Sequence, residues 1–196
     1  MPWTMRNNYR GQVRRWVGAG GSLSARLAGA GQTFSVQVLS QGRQRLHADE
    51  ARALGLAGVR PGYVREVVLR VDDVAVVFAR SVTAHAQSLG PWRSLRGLGS
   101  RPLADLLFKR TDIARTPLEF TKLKPASPRR RYVAQAWQQA TGGAAAARAL
   151  PARRSVFTRC AAPLLVMEVF AAQHAPWCWP SPRALSGQPV LSRKKT

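Results

Sequence analysis

Two valine-rich segments joined by a pair of aspartates constrain this chain most. Tyr63 to Val71 and Val74 to Val82 are rich in β-branched residues, and only Asp72-Asp73 separates them. Aspartate tolerates the tight backbone of a two-residue turn, so the pattern predicts an antiparallel hairpin. A hairpin of this length has an apolar face to bury, and the remaining chain must supply the cover.

Other segments extend the sheet. Thr33 to Leu39 alternates with period two and places Phe34, Val36 and Val38 on one face of a half-buried strand. A further strand is expected around Leu118 to Leu123, and a last hairpin joins Ser155–Arg159 to Pro163–Phe170 through Cys160-Ala-Ala162. Ser22 is a candidate N-cap for a short helix ending at Gly29 or Gly31, and Arg101-Pro102 opens another helix running to Phe108. Tyr132–Thr141 suits a short helix within a loop-rich stretch from Pro125 to Leu150. Strands outnumber helices and follow one another through hairpins. The expected fold is therefore α+β: a single domain with a mainly antiparallel sheet and helices on one side. Residues 1–21 read as a loosely held basic arm, 22–178 as the folded domain and 179–196 as a disordered tail.

Composition narrows the function less than it first suggests. The formal charge is +22, which points toward a polyanionic partner. Yet the basic residues are 26 arginines and five lysines, scattered along the whole chain beside abundant alanine, glycine and proline. That mix is what a GC-rich genome produces, and nucleic-acid binding ranks last. Cys160 and Cys178 form no CxxC, and His47, His85 and His174 have no metal-ligand spacing, so no metal site is expected. Phosphate-loop, serine-hydrolase and HExxH patterns are absent. No stretch approaches the length of a membrane span, and neither stable membrane insertion nor a secretory leader is expected. A monomeric cytoplasmic protein is the expectation.

Charged residues inside apolar strands carry the chemistry. Glu168 lies within Pro163-Leu-Leu-Val-Met-Glu-Val-Phe170. A buried carboxylate there costs several kcal/mol unless it is paired or protonated. Its partner is either a structural arginine or something the protein binds. Arg65 shares its strand face with Tyr63, Val67 and Leu69, and Arg80 is in phase with Val76, Phe78 and Val82. Two inward arginines and one inward glutamate make either a structural network or a pocket for an anion. Arg153 and Arg154 read as solvated.

The ordered set of segments resembles the chorismate lyase family. Those segments are Ser22-Leu-Ser-Ala-Arg26, Gly31 to Val36, Tyr63-Val-Arg-Glu-Val67, Ala79-Arg-Ser-Val82, Pro102 to Phe108, Arg153-Arg-Ser155 and Pro163 to Phe170. The resemblance spans roughly residues 20–175. It implies an antiparallel sheet flanked by helices, an enclosed ligand pocket and no metal or organic cofactor. It also implies conversion of chorismate to 4-hydroxybenzoate and pyruvate, the first committed step of ubiquinone biosynthesis. The family's ligand contacts carry over to Arg65, Leu103 and Glu168, and a position often held by methionine falls on Leu23. Arg65 and Glu168 are then the catalytic candidates, with Arg65 on the ring carboxylate and Glu168 on the ring 4-hydroxyl. Arg80, by its strand phase, is assigned to the enolpyruvyl carboxylate. The alternative is a non-catalytic ligand-binding domain of the related UTRA fold, although the short N-terminal arm shows no helix-turn-helix pattern.

Overall fold

The computed structural model describes residues 3–108, 111–146 and 148–172. Seven strands form one antiparallel sheet: β1 (Phe34–Arg45), β2 (Pro61–Val71), β3 (Val74–Ala84), β4 (Ala114–Arg115), β5 (Glu119–Leu123), β6 (Leu150–Arg159) and β7 (Ala162–Phe170). Their order is β1-β2-β3-β7-β6-β4, and β5 pairs with β6 beside β4. The expected tail and both Cys178 and His174 lie outside the described residues.

Both hairpins turn tightly. Asp72 and Asp73 have φ of 47° and 61°, and Cys160 and Ala161 have 48° and 57°. Paired left-handed residues match the twist of the flanking strands. The Asp72 carboxylate also accepts hydrogen bonds from the Gln32 and Thr33 amides at 2.7 and 2.8 Å, pinning the entry to β1.

Helices cover both sheet faces, not one. On the first face lie α1 (Gly11–Val17) and α2 (Leu23–Ala28), whose Trp16, Val17, Leu23 and Leu27 pack with Val67, Leu69 and Ala79. The segment 86–107, with two single 3-10 turns and α4 (Ala104–Leu107), completes this side around Trp92 and Leu95. Trp92 is fully buried, and its indole donates to the Ala162 carbonyl at 2.9 Å. On the second face lie α3 (Ala48–Ala53) and α5 (Pro128–Thr141). Val133 and Trp137 of α5 pack on Val68, Phe78, Met167 and Val169.

The expected loose arm is firmly lodged. Tyr9 is buried, its hydroxyl donates to the Thr121 carbonyl, and Thr4 forms a bridge with Phe120. Its few apolar residues are spaced to meet the sheet, a feature hidden by the surrounding arginines. α5 starts earlier than its apolar pattern suggests, because Ser127 caps the Arg130 amide and Pro128 occupies the first turn. It stops at Gly142, which takes a left-handed φ of 69°.

Candidate functional site

Register decides which charged side chains meet. Val71 pairs with Val74 and Arg70 with Ala75, but Leu69 pairs with Val77, leaving Val76 as an extra residue in β3. Without that bulge the pairing would place Arg65 opposite Arg80. With it, Arg65 faces Ser81 and Arg80 faces Glu66. A one-residue slip moves a side chain to the other face of the sheet.

Arg80 consequently belongs to the second face, and its assignment to the enolpyruvyl carboxylate is corrected. Its guanidinium forks onto Glu50 at 2.8 and 3.1 Å and reaches Glu66 at 2.8 Å. Glu50 also accepts from Arg129 at 2.7 Å and from the His47 amide at 2.9 Å. Glu66 accepts further bonds from Tyr132 at 2.6 Å and Ser40 at 2.8 Å. Burial alone would raise the Glu50 carboxyl, yet the Arg80 hydrogen bond and the Arg129 and Arg80 charges hold it below the usual carboxylate range. The Tyr132 phenol is pushed up to about 12 by burial and by Glu66. The charges of this network are paired within the protein, so it offers no unpaired cation to an anionic ligand.

The first face is different. Val67, Ala79 and Glu168 form one cross-strand row, and Arg153 continues it on β6. Arg153, expected in solvent, is 1% exposed. Its Nε donates to Glu168 at 2.5 Å, and its Nη1 donates to the Ala19 carbonyl at 2.6 Å and the Val17 carbonyl at 3.3 Å. Glu168 therefore has a structural arginine beside it, contrary to the expectation of a ring hydroxyl alone. Only its Oε2 is engaged in that pair. Arg154 is likewise not solvated, since it bonds Glu119 at 2.8 Å on the opposite face.

Arg65 lies on the Glu168 face but has no carboxylate partner. Its Nη2 donates to the Gly99 and Arg101 carbonyls at 2.8 and 3.0 Å, while the buried Nε has no partner. The residue is 2% exposed, and burial lowers its pKa, with Tyr63 opposing. Guanidinium stays charged regardless, so the shift marks a desolvated cation without an anion.

Glu168 opens onto a cavity of about 40 Å³ lined also by Leu23, Leu103, Ser155, Phe157 and Arg115. Of the predicted site residues, Leu23, Leu103 and Glu168 thus meet at one cavity. Arg65 stands beyond its wall, two strands across and two residues along from Glu168, about 12 Å between Cα atoms by strand geometry. A wider cleft of about 410 Å³ lies between β1 and α5, but its Glu66 and Tyr132 are already committed to Arg80.

Arg115 was not legible as a site residue, because β4 has only two residues and no periodicity. Its Nε donates to the Ser155 hydroxyl at 3.0 Å and its Nη1 to the Gly21 carbonyl at 3.1 Å. The guanidinium sits 5.0 Å from the Phe157 ring centroid. Arg153 had a readable signal: extending the β6 alternation backwards from Phe157 through Ser155 reaches it.

Residues 5–178 match the family model described as chorismate lyase. The chain belongs to the chorismate lyase family. A probable chorismate pyruvate-lyase of Albidiferax ferrireducens is 68% identical over 193 residues, covering 98% of each chain. Another, from Cupriavidus metallidurans, is 43% identical over 80% of this chain and 72% of its own. Among solved structures, the PhnF C-terminal domain superposes with a TM-score of 0.52 at 16% identity, covering 70% of this chain and 82% of that one. PhnF from Mycobacterium smegmatis gives 0.51 at 17% identity, over 78% and 64%. These two likenesses concern the fold. For a chorismate lyase family member, Arg65 without a carboxylate and the half-engaged Glu168 on one sheet face are the features that chemistry must explain. Among the described residues no helix is long and apolar enough to cross a membrane, and no group of three or more His, Cys, Asp or Glu is placed to hold a metal.

Proposed function

We propose that the protein converts chorismate to 4-hydroxybenzoate and pyruvate, supplying the aromatic head group for ubiquinone biosynthesis. The observation that carries this reading is Arg65, a buried guanidinium with an orphaned Nε on the same face as Glu168. A planar fork without an anion is suited to a carboxylate. Arg65 binds the ring carboxylate, and the free Glu168 oxygen accepts the ring 4-hydroxyl. Leu23 and Leu103 wall the ring and exclude water.

The reaction balances without a redox partner. The ring C3–O bond breaks, and its electron pair leaves with the enolpyruvate oxygen. The C4–H bond breaks, and its pair completes the aromatic ring. The proton lost at C4 is matched by the one gained at the enolpyruvate methylene carbon as pyruvate forms. Aromatisation supplies the driving force, so the residues contribute positioning and charge compensation, with no cofactor step.

A cavity of about 40 Å³ is much smaller than pockets that enclose ring-sized ligands. Seating a ring requires α2 and the 103–108 segment to move outward, and product leaves only by the same movement. Release then limits turnover, and a rapid first turnover precedes a slower steady state.

The test is direct. Purified protein given chorismate forms 4-hydroxybenzoate and pyruvate in equal amounts, read by chromatography and a coupled dehydrogenase assay, with EDTA present. Intact chorismate after prolonged incubation sinks the lyase reading. Binding of chorismate without turnover would instead favour the ligand-binding role that the shared fold also permits.

A further inference from the structure

Arg65 and Glu168 account for two of the three polar groups of chorismate, and Arg80 is excluded from holding the third. We propose that Arg115 is the substrate-contacting residue that holds the enolpyruvyl carboxylate, a role resting on the lyase reading above.

Three observations carry this assignment. The first is position. Arg115 and Glu168 line the same cavity, whereas Arg65 does not line it. In chorismate the enolpyruvyl ether and the 4-hydroxyl are on adjacent ring carbons, and the ring carboxylate is para to the hydroxyl. The holder of the second carboxylate must therefore neighbour Glu168 and lie away from Arg65. Among the described lining residues, Arg115 is the one cation in that place.

The second is charge. Arg65, Arg115 and Arg153 share one sheet face, and Glu168 is the one carboxylate its described strands place there, so among these four the surplus is two positive charges. Chorismate is a dianion and matches that surplus. Burial and the Arg153 charge both lower the Arg115 pKa, and Glu168 only partly opposes them. A second anion in the cavity relieves this field.

The third is fixed geometry. Among the described residues no carboxylate lies within salt-bridge distance of Arg115. Its Nε and Nη1 are anchored to Ser155 and Gly21, and its guanidinium carbon lies 5.0 Å from the Phe157 ring centroid and 5.8 Å from that of Phe108. A side chain held this way is preorganised, and Nη2 is left to donate.

The assignment separates substrate from product. 4-Hydroxybenzoate keeps the ring carboxylate and hydroxyl but not the enolpyruvyl group. Arg115→Gln should therefore lower kcat/KM for chorismate by about 30-fold or more, the lower end of the loss for a desolvated charged pair, since Arg115 is half-buried. Its Kd for 4-hydroxybenzoate, measured by calorimetry, should change less than about threefold. Arg115→Lys, which keeps the charge without the fork, should fall between wild type and Arg115→Gln. Equal losses for substrate and product, a lysine variant no better than glutamine, or unchanged chorismate kinetics would each overturn the assignment. An active wild type with any of these results leaves the lyase reading standing. A wild type that leaves chorismate intact removes that reading and this role together.

Discussion

The two faces of the sheet treat buried arginine in opposite ways. On the α5 side, Arg80 is paired: Glu50 and Glu66 both accept from it, and Arg129, Tyr132, Ser40 and the His47 amide donate to the same two carboxylates. On the α2 side, Arg65 has only two backbone carbonyls, Arg115 a hydroxyl and a carbonyl, and Arg153 the one carboxylate. A paired arginine is costly to remove because its carboxylates are left buried and unpaired, while an unpaired one keeps binding capacity for an anion at the expense of stability. Burial alone does not distinguish the two, since Arg65 and Arg80 are both 2% exposed. The partners do.

Substitution on the two faces should separate activity from stability. Arg65→Ala is expected to reduce kcat/KM for chorismate by about 100- to 1,000-fold, with a smaller loss of Tm than Arg80→Ala, because two backbone carbonyls but no folded-state carboxylate lose their partner. Arg80→Ala leaves Glu50 and Glu66 without their shared cation and should destabilise by about 3–5 kcal/mol. Calorimetry would show that loss as a Tm lowered by roughly 10 °C or more. If Arg80→Ala melted normally but lost chorismate affinity, the two faces would have been assigned the wrong way round.

Acid unfolding sharpens the same contrast. Glu50 is faced by Arg80 from β3, Arg129 from α5, Glu66 from β2, and His47 and Asp49 from its own helix. Its folded pKa is depressed below the unfolded value. Stability from this group is present above the unfolded carboxyl range, near pH 4.5, and is lost as pH falls through the folded pKa. Glu50→Gln should therefore be less stable at neutral pH and should show a flatter decline of Tm below about pH 4.5. A Glu50→Gln profile parallel to wild type would remove the network from the account of stability. The smallest effect concerns neither face. Ala161→Gly, relieving a left-handed alanine in the β6–β7 turn, should add about 1 kcal/mol without altering activity.

Alternation and turn residues were legible throughout. Asp72-Asp73 announced the central hairpin, the run 163–170 announced β7, and Ser22 is indeed the N-cap of α2. Glu168 stands out in the sequence as a carboxylate within an apolar strand, Leu23 and Leu103 only through family resemblance, and the fold brings all three to one cavity. Less was readable where local pattern is thin. Arginines around Trp16 and Val17 hide α1 in the sequence, and β4 is too short to show a period.

Within each strand, sequence determined which residues share a face: Arg65 with Tyr63 and Val67, Arg80 with Phe78 and Val82. Period two is a local property of an extended chain and needs no partner. What sequence did not determine was how one strand's faces align with its neighbour's. The extra residue at Val76 sets that alignment, and it arises from pairing between strands. That single bulge sends Arg80 to Glu66 and leaves Arg65 unpaired opposite Ser81, on the same sheet face as Glu168. Tertiary structure alone made one arginine structural and left the other available to an anion, because a side chain's partner depends on register and register is a relation between strands.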